Sequence, residues 1–157
     1  MSEEHLNKEK WHRKQSVDLF NETWNYLDKE ERTPEEEDLM VNLSHASRYH
    51  WGVRVEKGWD ATPINLGRGD WQLSRVYAII GDGKRAVHYG KNYLDICEKE
   101  GIKDWDLAYA YEALARGYAV IGDTTNKNKY IELAKKATND VQDKDTKEMI
   151  LADLKTI

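Results

Sequence analysis

The sequence has little phenylalanine, proline or cysteine, and it has no long apolar run. One Phe stands against six Trp and nine Tyr, so its aromatic side chains almost all carry a polar handle suited to half-wet surfaces and pockets. Two Pro leave most of the chain free to be helical. The single cysteine, Cys97, excludes an internal disulfide framework and suits a reducing compartment, so a cytoplasmic protein is expected. The opening MSEEHLNKEKW has no apolar signal core, and no stretch has the length needed to cross a bilayer, so no membrane association is expected. Basic residues are also in deficit, 24 against 29 acidic, for a formal charge of −5. That balance argues against a nucleic-acid partner. The deficit is local, because residues 1–38 hold 6 basic and 12 acidic side chains and the remainder is close to neutral. A cationic site elsewhere is therefore compatible with it, and 157 residues fit one domain spanning 1–157.

What is present is helical punctuation. Phe20, Trp24 and Leu27 mark one face of a helix over 4–28. Thr33-Pro34-Glu35-Glu36 reads as a cap, a first-turn proline and a capping-box carboxylate, opening a helix that ends before Gly58. Residues 58–70 hold three Gly and the second Pro and are expected to be a loop. Further helices are expected over 70–80, 83–100, 104–121, 124–139 and 145–156, with Asp104 a cap and Asp145 and Glu148 a second capping box. Nothing alternates with period two long enough to form a strand. The expected fold is all-α with about seven helices.

Two of these segments repeat. Ser74-Arg75-Val76-Tyr77-Ala78-Ile79-Ile80-Gly81-Asp82 aligns with Ala115-Arg116-Gly117-Tyr118-Ala119-Val120-Ile121-Gly122-Asp123, 41 residues later, sharing its Arg, Tyr, Ala, Ile, Gly and Asp. A fainter echo, Ser47-Arg48-Tyr49-His50, lies upstream. The segment from Tyr111 to Asp123, with Ile131 and Ala134, resembles the tetratricopeptide repeat. Tyr111, Leu114, Ala115 and Tyr118 match the large, large, small and aromatic positions of its first helix, and Gly122 matches its turn. In the earlier copy Leu73, Ser74, Tyr77, Gly81 and Ala86 fit, but Asp70 replaces the first aromatic residue. The resemblance covers about 70 to 139 and implies antiparallel helix pairs stacked as a short right-handed solenoid with a concave, peptide-holding groove.

Helical spacing assigns residues to that groove. Trp105, Tyr109, Glu112 and Arg116 fall within about 60° of one another, opposite the stripe of Tyr111, Leu114, Ala115 and Tyr118. Arg68, Trp71 and Arg75 occupy the corresponding positions of the earlier copy, and Arg48 is flanked upstream by Ser44, His45 and Trp51. Three first-type helices would thus each present an Arg beside an aromatic ring, an arrangement suited to bidentate capture of a carboxylate or phosphate. The expected function is a non-enzymatic binding module for an acidic peptide or another anionic ligand, using Arg48, Trp51, Arg68, Trp71, Arg75, Trp105, Tyr109, Glu112, Arg116 and His45. In a competing reading the same arginines pair with Glu112, Asp106 or Asp70 and only stiffen the stack. A third is a small enzyme using His45 and Glu112 as acid and base, and a fourth is a homodimer formed through an apolar face on 145–156. No cofactor is implied. His45 and His50 diverge by about 140° on a helix, which is too far to share a metal ion, and no cysteine pair completes a zinc site. Cys97 lies in line with Gly90, Tyr93 and Leu94, as a buried, inert thiol would.

Overall fold

The computed structural model describes residues 3–157, all of whose regular structure is helical. These residues form seven helices: α1 (Glu3–Leu27), α2 (Pro34–Lys57), α3 (Pro63–Ile79), α4 (Gly83–Lys99), α5 (Asp104–Ile121), α6 (Thr124–Asn139) and α7 (Lys144–Leu154). Each packs on the next, and the odd-numbered helices also touch in series, α1 on α3, α3 on α5 and α5 on α7. The backbones of the even helices stay apart, although His45 of α2 and Tyr89 of α4 meet with ring centroids 5.8 Å apart, so the even helices stand as an outer row against the odd one.

Local signals account for most boundaries. Thr33 accepts from the Glu36 amide while Glu36 reaches back to the Thr33 amide, which is the full capping box. The two Gly-Asp breaks are one device used twice. Gly81 and Gly122 take φ values of 86° and 85°, a left-handed turn that a Cβ would strain. Just beyond them, the Asp82 and Asp123 amides donate back to the Tyr77 and Tyr118 carbonyls at 2.8 and 3.0 Å. Their side chains then cap α4 and α6 by accepting from the amides of Arg85 and Asn126, both at 3.0 Å. The offset of 41 extends to side chains, since Tyr77 stacks on Tyr89 and Tyr118 on Tyr130, each at an interplanar angle of 4°.

Three boundaries differ from the sequence expectation. The loop at 58–70 is only five residues long, because α3 begins at Pro63 and runs straight through Gly67 and Gly69. These glycines serve close packing. A Cβ on Gly67 would lie 2.8 Å from the Tyr93 ring, and one on Gly69 would lie 2.8 Å from Cδ of Arg48. The cap of α7 is Asp143, which accepts from the Thr146 amide at 2.8 Å, rather than Asp145. Asp104 is the first residue of α5 rather than its cap, and its carboxylate accepts from the Gln142 amide.

The largest apolar cluster links α4 to α7 through Tyr93, Cys97, Ala108, Ala110, Ala134, Ile150 and Leu154. A second joins α1, α2 and α3 through Leu27, Met40 and Val76. Cys97 is buried among these residues as expected, and burial pushes its thiol up to about 12, which leaves it protonated and unreactive.

Candidate functional site

The arginines singled out by spacing form a ladder, but its rungs are internal. Arg48 grips Asp70 with Nε at 2.8 Å and Nη2 at 3.3 Å, joining α2 to α3. Arg68 grips Asp106 with two bonds of 3.0 Å, joining α3 to α5, and its guanidinium lies 4.4 Å from the Trp105 ring centroid. Arg75 reaches Glu112 at 3.2 Å, again from α3 to α5. Arg116 bonds the same Glu112 oxygen through Nε at 2.8 Å. The bidentate geometry at Asp70 and Asp106 fixes orientation as well as charge. The internal pairing with Glu112, Asp106 and Asp70 is therefore present at every rung.

Two placements correct the sequence reading. Arg48 lies on α2, an outer-row helix, so it is not the third arginine of the inner row. Its equivalence to Arg75 came from a short echo that helix order does not support. Trp51, expected beside Arg48, instead lies 4.2 Å beneath the guanidinium of Arg54. The remaining aromatic residues pack inward: Trp71 sits between Trp24 and Tyr109, with ring centroids 5.5 and 5.2 Å away. His45 and Glu112 are not brought together, because α2 and α5 do not touch and α3 lies between them. His45 shares a 2.8 Å hydrogen bond with the Tyr77 hydroxyl, and burial, aided by the Arg85 charge, lowers its pKa. Among the described residues no cluster of three His, Cys, Asp or Glu is placed to hold a metal ion, and no helix is long and apolar enough to cross a membrane.

The larger correction concerns the groove face of α5. Spacing left Tyr109 and Glu112 facing an open groove, whereas they are 7% and 0% exposed. Helix α7, which begins 23 residues after α5 ends, comes back onto this face and meets Tyr109 through Asp153, a return that cannot be read from the periodicity of α5. Asp153 on α7 accepts from Arg75 and from the Tyr109 hydroxyl, both at 3.3 Å. The Asp153 carbonyl and the Thr156 hydroxyl accept from Nη2 of Arg116 at 3.0 and 2.8 Å. Two cations thus face two carboxylates. Glu112 spends one oxygen on both arginines and leaves Oε2 without a partner, as Nε1 of Trp71 is also left, and the two residues line one small void.

One open pocket of about 400 Å³ remains beside this cluster. Its walls are repeat-related residues 41 apart: Arg75, Ala78 and Ile79 on α3 face Arg116, Ala119 and Val120 on α5, with Thr156 and Ile157 closing one end. Arg75 and Arg116 retain 23% and 17% of their side-chain surface, so both guanidinium groups still reach solvent. Ile79 and Val120 are exposed at 39% and 38%.

No protein-family model matches this chain, and neither a curated protein nor a solved structure does.

Sequence reasoning missed Asp153, Thr156, Ile157, Ile79 and Val120. The repeat offset could have found the last two, since they occupy equivalent positions after equivalent arginines. It also missed Arg54, which is 3% exposed and bonds Ser16 Oγ and the carbonyls of Trp59 and Asp60.

Proposed function

We propose that this chain is a non-enzymatic interaction module of tetratricopeptide-like construction, and that it holds an acidic peptide in the pocket between α3 and α5. The observation that supports this reading is the pocket's make-up. Two repeat-equivalent triads, each Arg-x-x-Ala plus a branched aliphatic residue, line opposite walls of one cavity. A carboxylate on the ligand would bond Arg75 and Arg116, and a neighbouring apolar side chain would lie between Ile79 and Val120. Of the ten residues first singled out, Arg75 and Arg116 would touch ligand directly. Arg48, Arg68, Trp71, Trp105, Tyr109 and Glu112 would hold the frame, and His45 and Trp51 lie on the outer-row helix α2. A cytoplasmic setting goes with this reading, given one buried thiol.

The test is the affinity of the full chain for short peptides that place Asp or Glu beside Leu or Ile, measured before and after Ile79→Asp and Val120→Asp. Both wall residues are exposed and carry no hydrogen bond, so the fold should survive the change, which circular dichroism would check. A loss of at least tenfold is expected from placing an anion in the pocket. Peptide binding that is indifferent to both changes would remove the reading.

A further inference from the structure

The segment closing the pocket has the chemistry that the pocket would seek in a ligand. We infer that the end of α7, Asp153 with Thr156 and Ile157, is a built-in occupant of the α3–α5 groove, which an acidic partner segment displaces. This rests on the groove reading above and adds how the site is kept closed and what class of partner opens it.

Three features carry the inference. The Asp153 carboxylate takes the Arg75 guanidinium and the Tyr109 hydroxyl, its carbonyl takes Arg116, and Thr156 adds an oxygen to the same guanidinium. These are the contacts expected of a bound peptide carrying a carboxylate. Ile157 lies at the pocket wall as the accompanying apolar side chain. Finally, α7 is the shortest helix and buries only Ile150 and Leu154 of its own side chains, whereas α5 is buried on nearly every face.

Exchange of one carboxylate for another keeps both arginines neutralised throughout, so displacement never exposes an unpaired buried charge. The tethered segment competes at an effective concentration in the range of mM. A partner therefore needs more than a lone carboxylate. The open 400 Å³ between Ile79 and Val120, which α7 leaves unfilled, supplies the extra contact for a segment that pairs an acidic residue with an aliphatic one.

The experiment uses the full chain and two probes. The first is a synthetic peptide of residues 144–157, and the second is an unrelated peptide of alternating Glu and Leu. Each is titrated into the wild-type chain and into the Asp153→Asn, Thr156→Ala double variant, which keeps the Ile150 and Leu154 anchors. At least one probe is expected to bind the variant ten times more tightly than the wild type. Hydrogen exchange supplies a readout that needs no variant, because a saturating probe should accelerate the amides of 150–157 in the wild-type chain. Equal affinity for both chains, or α7 amides that stay protected in the bound wild type, would overturn the displacement while leaving the groove reading in place. No binding of either probe to either chain would overturn both.

Discussion

The seam between α1 and α2 and the stack from α3 to α7 are both helix packings, but the seam is the more polar of the two. In the seam the buried side chains of α1 are Ser16, Thr23 and Leu27, and those of α2 include Ser44, Ser47, His50 and Arg54. Ser47 donates to the Ser16 carbonyl at 2.8 Å, Arg54 donates to Ser16 Oγ at 2.9 Å, and His12 and His50 meet Nδ1 to Nδ1 at 2.8 Å. Trp11 and Trp59 pack around this histidine pair. In the stack, Leu73, Val76, Ala108, Leu114, Ala134 and Ile150 are each 0% exposed, and the buried charges Asp70, Asp106 and Glu112 all belong to the ladder. The difference separates two tasks. Apolar burial is non-directional and holds the stack together, while hydrogen bonds of modest net worth set the angle and register of α1.

The ladder is where this division is most easily broken. Glu112→Ala leaves Arg75 and Arg116 short of their shared buried partner, and a loss of about 3–5 kcal/mol in urea unfolding is expected. A loss below about 1 kcal/mol would mean that the inner-row charges are dispensable, and the contrast with the seam would collapse. The seam should give a smaller response. Arg54→Met removes the charge but leaves the Trp59 and Asp60 carbonyls without their side-chain donor, while Ser16 Oγ keeps its bond to the Arg13 carbonyl, for an expected loss of about 2 kcal/mol, with faster hydrogen exchange confined to α1 and the 58–62 turn.

The smallest effect should be a pH response specific to the seam. Two imidazole nitrogens in contact share one proton, and burial, together with the His12 charge, holds the pKa of His50 below its ordinary 6.5. The unfolded chain therefore takes up protons first as pH falls. Stability is full above about 6.5 and declines below it until the folded value is passed. His45, also depressed, contributes a slope of the same sign. Urea midpoints at pH 7.5, 6.5 and 5.5 would show the decline. It should be shallower in His50→Gln, and an unchanged slope there would assign it elsewhere.

The local grammar of the chain was legible because it depends on neighbours a few residues apart. The Thr33 capping box, the paired Gly-Asp breaks, the 41-residue offset and the helix count all follow from contacts within one or two turns. The pairing of arginines with Asp70, Asp106 and Glu112 was also within reach, as a choice between internal and external partners. Local spacing misled at Gly67 and Gly69. There, the usual cost of glycine in a helix is outweighed by the close approach of Tyr93 and Arg48 from other helices.

Sequence by itself determined that this chain is a series of helices with a duplicated Arg-x-Tyr-Ala element, since caps and periodicity act through the backbone nearby. Only the tertiary structure decided which faces stay open. Arg75 meets Asp153 across 78 residues, and Tyr109 meets it across 44. Spacing along one helix says which side chains share a face. Which helix comes back to cover that face is decided by packing, and here α7 covers part of the expected groove face and leaves a smaller pocket beside it.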